Sequence, residues 1–308
     1  MLKNVYSWGI RRVFDGAFRL TMKRLWRRKD LTAAELRRRT EAVSHLLDKN
    51  VRPGKPEAFG PGLEGEWFAP DGRDDCKAVV LYLHGGAFVT YPVGSYRRFS
   101  QALANLLQAR VFLPNYRLAP EHPYPTPGDD CLAAYRQVLA GLGGNSEHLV
   151  VGGDSAGGNL TLATLIRARD EGLALPRCAF AFSPVTDLTF SGASVNENER
   201  TDAMFTKAAI GFVRGVYLSA PADVTRPDAS PLFADLTGLP PLLFQCSSSE
   251  MLRDDSVRMA ERVRAAGGSA ELAMWRDLPH VFQLVDAFTE TRQARTQLRQ
   301  FVDRNLTR

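Results

Sequence analysis

The sequence predicts an α/β protein built on a mostly parallel central sheet with helices on both faces. Two observations point there. Strand-like apolar runs recur at residues 78–83, 111–115, 149–152, 178–182, 242–246 and 272–275, separated by stretches of helical or loop character. In addition, the run Gly153-Asp154-Ser155-Ala156-Gly157 stands where the apolar residues 148–151 give way to helical spacing at Leu160, Leu162, Leu165 and Ile166. With 308 residues, 44% of them hydrophobic, the chain can bury one substantial core plus a smaller lid. Residues 119–127 read as a structured crossing loop, because Pro120, Pro123, Pro125 and Pro127 prevent a helix from starting before residues 129–139. Neither a repeat nor a low-complexity tract interrupts this pattern.

Chemistry concentrates at the ends of the strand runs. A serine on a sharp strand-to-helix turn is held in a strained backbone conformation that lifts its hydroxyl above the sheet, and only small residues fit two places to either side. Ser155, between Gly153 and Gly157, is therefore the candidate nucleophile. Upstream, the apolar run 78–83 leads into His84-Gly85-Gly86-Ala87-Phe88. Glycines after a strand free backbone N–H groups to face a developing oxyanion, and losing one such donor costs about 3 to 4 kcal/mol of transition-state stabilisation. Gly85, Gly86 and Ala87, with the N–H of Ala156, are the candidate oxyanion donors, and His84 orients the loop rather than acting as base.

A serine-acid-histidine set on such a turn follows that chain order. His280, in Asp277-Leu278-Pro279-His280, is the only histidine after Ser155 and so the candidate base. For the acid, the run 241–246 leads into Ser247-Ser248-Ser249-Glu250-Met251-Leu252-Arg253-Asp254-Asp255. Glu250 lies nearest the strand end; Asp254, one helical turn later, is the alternative, although Asp254 and Asp255 also suit the first turn of a helix, where the dipole favours carboxylates.

Taken together, these segments resemble the hormone-sensitive lipase family of α/β-hydrolases, a group of carboxylesterases. The resemblance is carried by His84-Gly85-Gly86-Ala87-Phe88, by residues 115–125 (Asn-Tyr-Arg-Leu-Ala-Pro-Glu-His-Pro-Tyr-Pro), by residues 153–159, by Ser183-Pro184 with Asp187-Leu188, and by the acid and histidine segments, across residues 65–290. Two positions depart from the family pattern. Glu250 stands where an aspartate is usual, which keeps the carboxylate but lengthens its reach, and Ala87 stands where glycine is common. The resemblance implies an α/β-hydrolase fold with a helical cap over the active site, made of residues 1–50 and an insertion at about 188–226, with residues 51–308 forming the catalytic domain. It further implies short to medium acyl esters as substrates, with Phe88, Val185, Phe205 and Phe212 as apolar pocket walls.

The first 52 residues carry 14 Lys and Arg against 5 Asp and Glu, whereas the remainder is net acidic. Val5, Trp8, Val13, Phe14, Phe18, Leu25 and Trp26 fall on roughly one side of helical turns there. Beside the cap, this segment admits contact with an anionic membrane surface or a solvated charged face. No recognisable nucleic-acid-binding module accompanies the charge. Residues 1–20 hold no uninterrupted apolar stretch, so neither a signal peptide nor a membrane span is expected. Cys76, Cys131, Cys178 and Cys246 lack metal or redox spacing, which fits a reduced, cytoplasmic protein. Neither a metal nor an organic cofactor is expected, and the oligomeric state is left open, a dimer included.

The expected reaction is ester hydrolysis through an acyl-enzyme, with a rate that rises with pH through an apparent pKa of about 6 to 7 as the histidine loses its proton. Lactones, acetylated small molecules and certain amides would use the same groups. Two readings of other classes are a small-molecule-binding protein without hydrolysis, against which His280 stands, and a lipid-surface scaffold using the basic N-terminus.

Overall fold

Continuous apolar stretches form the middle of an eight-stranded sheet, and every residue of its central parallel strands from β3 to β7 is buried except Arg110 at the start of β4. The structure is a computed structural model that describes residues 21–28, 30–47, 51–73 and 75–306. After a helical segment at residues 21–26 come α1 (Ala33–Leu47), β1 (Lys55–Gly60), β2 (Leu63–Phe68), β3 (Val79–Leu83), α2 (Val93–Leu107), β4 (Arg110–Pro114), α3 (Thr126–Gly141), β5 (Leu149–Asp154) and α4 (Ser155–Asp170). The chain continues through β6 (Cys178–Phe182), α5 (Ser194–Glu197), α6 (Lys207–Tyr217), β7 (Leu242–Ser247), α7 (Arg253–Ala265), β8 (Ala270–Trp275) and α8 (Thr289–Leu306). Strand order is β1-β2-β4-β3-β5-β6-β7-β8. The β1–β2 and β2–β4 pairs are antiparallel and all others parallel.

Side-chain alternation divides the core between the two faces of the sheet. Val79, Leu81 and Leu83 of β3 join the core that contains residues of α3, α4 and α7, whereas Val80 and Tyr82 join the one that contains residues of α2 and α8. All six predicted strand runs are present. The sequence reading missed β1 and β2, because Lys55, Pro56, Glu57, Glu64 and Glu66 break the apolar run. β1 is a sheet edge exposed over most of its length, where Lys and Pro discourage further pairing. The helix expected at residues 129–139 begins earlier, at Thr126, since proline is tolerated in the first turn, where its missing N–H has no intrahelical partner.

Between β6 and β7 the chain crosses above the strand ends, carrying α5 and α6. The helical segment at residues 21–26 packs on this crossing. Trp26 donates Nε1–H to the Met204 carbonyl at 3.0 Å and its ring lies 5.9 Å from Phe212, while Lys23 donates to the Glu199 carbonyl at 2.8 Å. Of the N-terminal apolar residues singled out above, Val5, Trp8, Val13, Phe14 and Phe18 lie outside the described residues. Among the described residues, no helix is long and apolar enough to cross a membrane.

Candidate active site

Ser155, the glycine loop, Glu250 and His280 all follow the carboxyl ends of parallel strands, where open α/β sheets place their ligands. β5 ends at Asp154 and the next residue, Ser155, opens α4 with φ of 52°. This left-handed conformation is strained for a residue with a side chain and is over-determined by the packing around it. A Cβ at Gly157 would collide with the carbonyl oxygens of Leu83 and His84, and one at Gly153 with the carbonyl oxygens of Leu83 and Gly157. Both glycines are needed because the turn presses against the end of β3.

The loop after β3 is held from below by a buried carboxylate. Asp154 accepts hydrogen bonds from Tyr82 Oη at 2.8 Å, Tyr96 Oη at 2.9 Å and the N–H of Gly85 at 3.0 Å. Burial drives its pKa up to about 6, a shift moderated by those donors. Gly85, predicted as an oxyanion donor, thus directs its N–H at Asp154 and not into the cleft. The N–H groups of Gly86, Ala87 and Ala156 remain, the last near the N-terminus of α4, where the first amides have no intrahelical partner. Ala87 and Phe88 have φ of 58° and 62°, so the position where glycine is common in the family takes up the left-handed turn despite its methyl group.

His84 is buried and lies between the rings of Tyr91 and Tyr116, each centroid 4.1 Å away. Its Nδ1 pairs with the Gly85 carbonyl at 2.7 Å, and Tyr116 donates to the His84 carbonyl at 2.6 Å. Burial pushes the imidazole pKa down to about 3, which keeps the ring neutral. These contacts fit the loop-orienting role.

Across the cleft, His280 Nδ1 lies 2.6 Å from Glu250 Oε2, both residues being buried. The other Glu250 oxygen accepts the N–H of Ser247 at 2.8 Å. Asp254, the alternative acid, instead accepts from Ser194 N at 2.9 Å and Arg253 Nε at 2.8 Å in the first turn of α7. Burial alone would lower the His280 pKa, but the hydrogen bond and charge of Glu250, with the further charges of Asp202 and Asp154, hold it above the ordinary imidazole value. Its Nε2 is buried and, among the described residues, has no hydrogen-bond partner, Ser155 included. Val281, the next residue, has φ of 54°, an unusual conformation for a β-branched side chain. Its N–H points to Ser183 Oγ at 3.4 Å, and Val185 in turn donates its N–H to the Ser155 carbonyl at 3.1 Å. The loop after β6 therefore ties the serine segment to the histidine segment.

An apolar cleft opens above Ser155. Of the four expected walls, Phe88, Val185 and Phe205 line this cleft, whereas Phe212 packs on Trp26. The reason is helical phase. Ala209, Val213 and Tyr217 mark the buried side of α6, and Phe212, one residue before Val213, is turned by about 100°. Sequence reasoning missed Ala87, Phe190, Ile210, Val213, Met251 and Leu252 as walls. Phe205 links the two halves of the site, because its ring also meets the His280 imidazole edge-to-face at 4.8 Å.

A strained serine at a helix N-terminus, free amides beside it and a carboxylate-paired histidine are the components of acyl transfer. Comparison with known proteins agrees. Residues 80–284 match the family model described as alpha/beta hydrolase fold. An acetyl-hydrolase from Streptomyces hygroscopicus is 36% identical over 80% of this chain and 79% of its own, and an esterase from Acinetobacter venetianus is 34% identical over 72% and 74%. The crystal structure of an esterase from the bacterial hormone-sensitive lipase family superposes with a TM-score of 0.85 at 34% identity, covering 95% of this chain and 98% of that one. The chain belongs to the α/β-hydrolase family, within its bacterial hormone-sensitive lipase group, and is a serine ester hydrolase.

Proposed function

We propose that the protein hydrolyses short to medium acyl esters of small molecules through an acyl-enzyme on Ser155. The observation that carries this reading is the buried His280–Glu250 pair at 2.6 Å, linked through the edge-to-face ring of Phe205 to the apolar cleft that Ser155 lines. His280 Nε2 takes the Ser155 hydroxyl proton as Oγ bonds to the ester carbonyl carbon, and the N–H groups of Gly86, Ala87 and Ala156 receive the negative oxygen of the tetrahedral intermediate. Glu250 keeps the Nδ1–H tautomer in place and balances the imidazolium. Collapse expels the alcohol, which takes the proton from Nε2. Water then loses a proton to the same nitrogen and attacks the acyl carbon; Oγ leaves with that proton and the carboxylic acid departs.

Support for neutral, apolar acyl groups comes from the walls, which offer no charged side chain to a substrate. The short end of the range is supported by the relative named an acetyl-hydrolase. We assign residues 1–50 and about 188–226 to a cap over this cleft, a view supported by the contacts of Trp26 and Lys23 with residues 199–212 and by Phe205, Ile210 and Val213 in the walls. The cytoplasmic assignment is supported by four buried cysteines with free thiols. The test is the hydrolysis rate of p-nitrophenyl esters from acetate to palmitate, run beside Ser155→Ala. Turnover highest on short chains and falling to background in the variant is the expected result; absence of turnover on every ester would move the assignment to amides, lactones or ligand binding, and ester turnover surviving in the variant would refute the nucleophile.

A further inference from the structure

A buried carboxylate outside the serine-acid-histidine set joins the crossing segment to the acid loop. Asp202 is 1% exposed. Its Oδ1 accepts the N–H of Met204 at 2.7 Å and of Phe205 at 2.9 Å, and its Oδ2 accepts the N–H of Met251 at 2.7 Å. These bonds reach both sides of the site. Met251 directly follows Glu250, and Phe205 is the residue whose ring meets His280. Burial raises the Asp202 pKa, and the N–H donors pointing at both oxygens oppose that shift, since an ionised carboxylate accepts everywhere and donates nowhere.

Neighbouring neutral side chains grip the same loop. Asn198 donates from Nδ2 to the carbonyls of Ser248 and Glu250, each at 2.9 Å; Thr201 Oγ1 donates to the Ser249 carbonyl at 3.0 Å, and Ser194 Oγ to the Met251 carbonyl at 2.7 Å. Asp202 differs from these in bringing a charge. Against the lowering effect of burial, the charges that raise the His280 pKa come from Glu250 in the loop after β7, Asp202 in the crossing segment and Asp154 at the end of β5.

We propose that Asp202 is a positioning residue for hydrolysis, its carboxylate fixing Phe205 and the Glu250 loop together while serving as a second negative charge for the imidazolium formed on His280. This rests on His280 being the base. Through Asp202 the crossing segment acts on the chemistry as well as on substrate fit.

Asp202→Asn tests both halves, because asparagine has one accepting oxygen where two are used and carries no charge. Its kcat on p-nitrophenyl acetate is expected to fall by about 10- to 100-fold, the scale of a misplaced catalytic group. Removing a negative neighbour makes the imidazolium less stable, so the acidic limb of kcat/KM moves to lower pH, by about half a unit or more. Asn198→Ala loosens the same loop without changing charge and is expected to lower kcat with its limb in place. Asp202→Glu keeps the charge and displaces the donors, so it is expected to lower kcat while retaining the limb; it also serves if Asp202→Asn does not fold by circular dichroism.

The imidazole titration of His280, followed by NMR in a Ser155→Ala background with and without Asp202→Asn, reads the charge effect without any turnover. A downward shift there supports the proposal even if ester turnover proves independent of Ser155, a result that would overturn only the functional reading. Unchanged kcat in Asp202→Asn, an unmoved His280 titration, or a limb lowered equally in Asn198→Ala would overturn the role of Asp202.

Discussion

The strand-end loops and the segment crossing above them solve different physical problems. In the loops, Ser155, Ala87, Phe88 and Val281 are held at φ between 52° and 62°, a region L residues avoid, by close backbone packing against buried strands. Strain of this kind aims a hydroxyl or an amide within narrow limits, and it persists where the surrounding packing over-determines it. The crossing segment supplies apolar walls from Phe205, Ile210 and Val213, together with hydrogen bonds to the acid loop. On the proposed mechanism, reacting atoms are thus placed by the body of the protein, while the crossing segment completes the walls that Ala87, Phe88, Val185, Met251 and Leu252 begin. Asp202 is where the two tasks meet.

If this division holds, changes in the body should depress turnover on every ester alike, and changes in the crossing segment should redistribute it. Loss of the nucleophile in Ser155→Ala should have the greatest effect, about 10⁶-fold in kcat. Next comes Glu250→Gln, which keeps the size but offers the wrong partner to the histidine tautomer; kcat should fall by roughly 10⁴-fold with the ranking of acyl lengths unchanged. A changed ranking would show that the acid loop also shapes the pocket. Gly86, at φ of 114°, leaves no room for a Cβ against the Thr90 carbonyl, so Gly86→Ala should displace the oxyanion amides and cost about 10²- to 10³-fold in kcat with little change in KM for the ester. Smallest is Ile210→Ala on α6, expected to raise kcat/KM for hexanoate relative to acetate by several-fold, the value of one or two methylenes of apolar space. Equal loss on all esters in Ile210→Ala would break the division.

The pH profile sharpens the same contrast. On the proposed mechanism, activity requires neutral His280; burial lowers its pKa, but Glu250, Asp202 and Asp154 together hold it above the ordinary imidazole value. The acidic limb of kcat/KM should accordingly lie above the usual histidine value of about 6.5, toward the upper end of the sequence-based range or beyond it. A limb below that value would contradict the charge environment of the site.

What could be read from the sequence followed the same division. Ser155 with its flanking glycines and the glycine loop after β3 were recognisable because each must satisfy a backbone demand that few residues meet, and His280 because no other histidine follows Ser155. Contacts chosen by the fold were not. The choice between Glu250 and Asp254 depends on which carboxylate reaches His280, and the engagement of the Gly85 N–H depends on Asp154, 69 residues away. Asp202 carries no local signature, since its bond to Met251 spans 49 residues and its burial is invisible in a polar stretch of sequence. Pocket walls on α6 were half legible. A helix pattern told which residues are apolar, and one step of helical phase decided that Val213 lines the cleft while Phe212 meets Trp26. The β1–β2 hairpin escaped notice for a related reason, as an exposed edge accommodates charges along its length that break the apolar pattern.

The central claim, that Ser155 is the nucleophile activated by His280, is tested most directly by covalent capture. Incubation with a fluorophosphonate should form one Oγ–phosphorus bond with loss of fluoride, read as a single mass increment on the peptide containing Ser155, in step with loss of esterase activity. Ser155→Ala should take up no label, and His280→Ala should label far more slowly. Label on another residue, or full inactivation with Ser155 unmodified, would contradict the account.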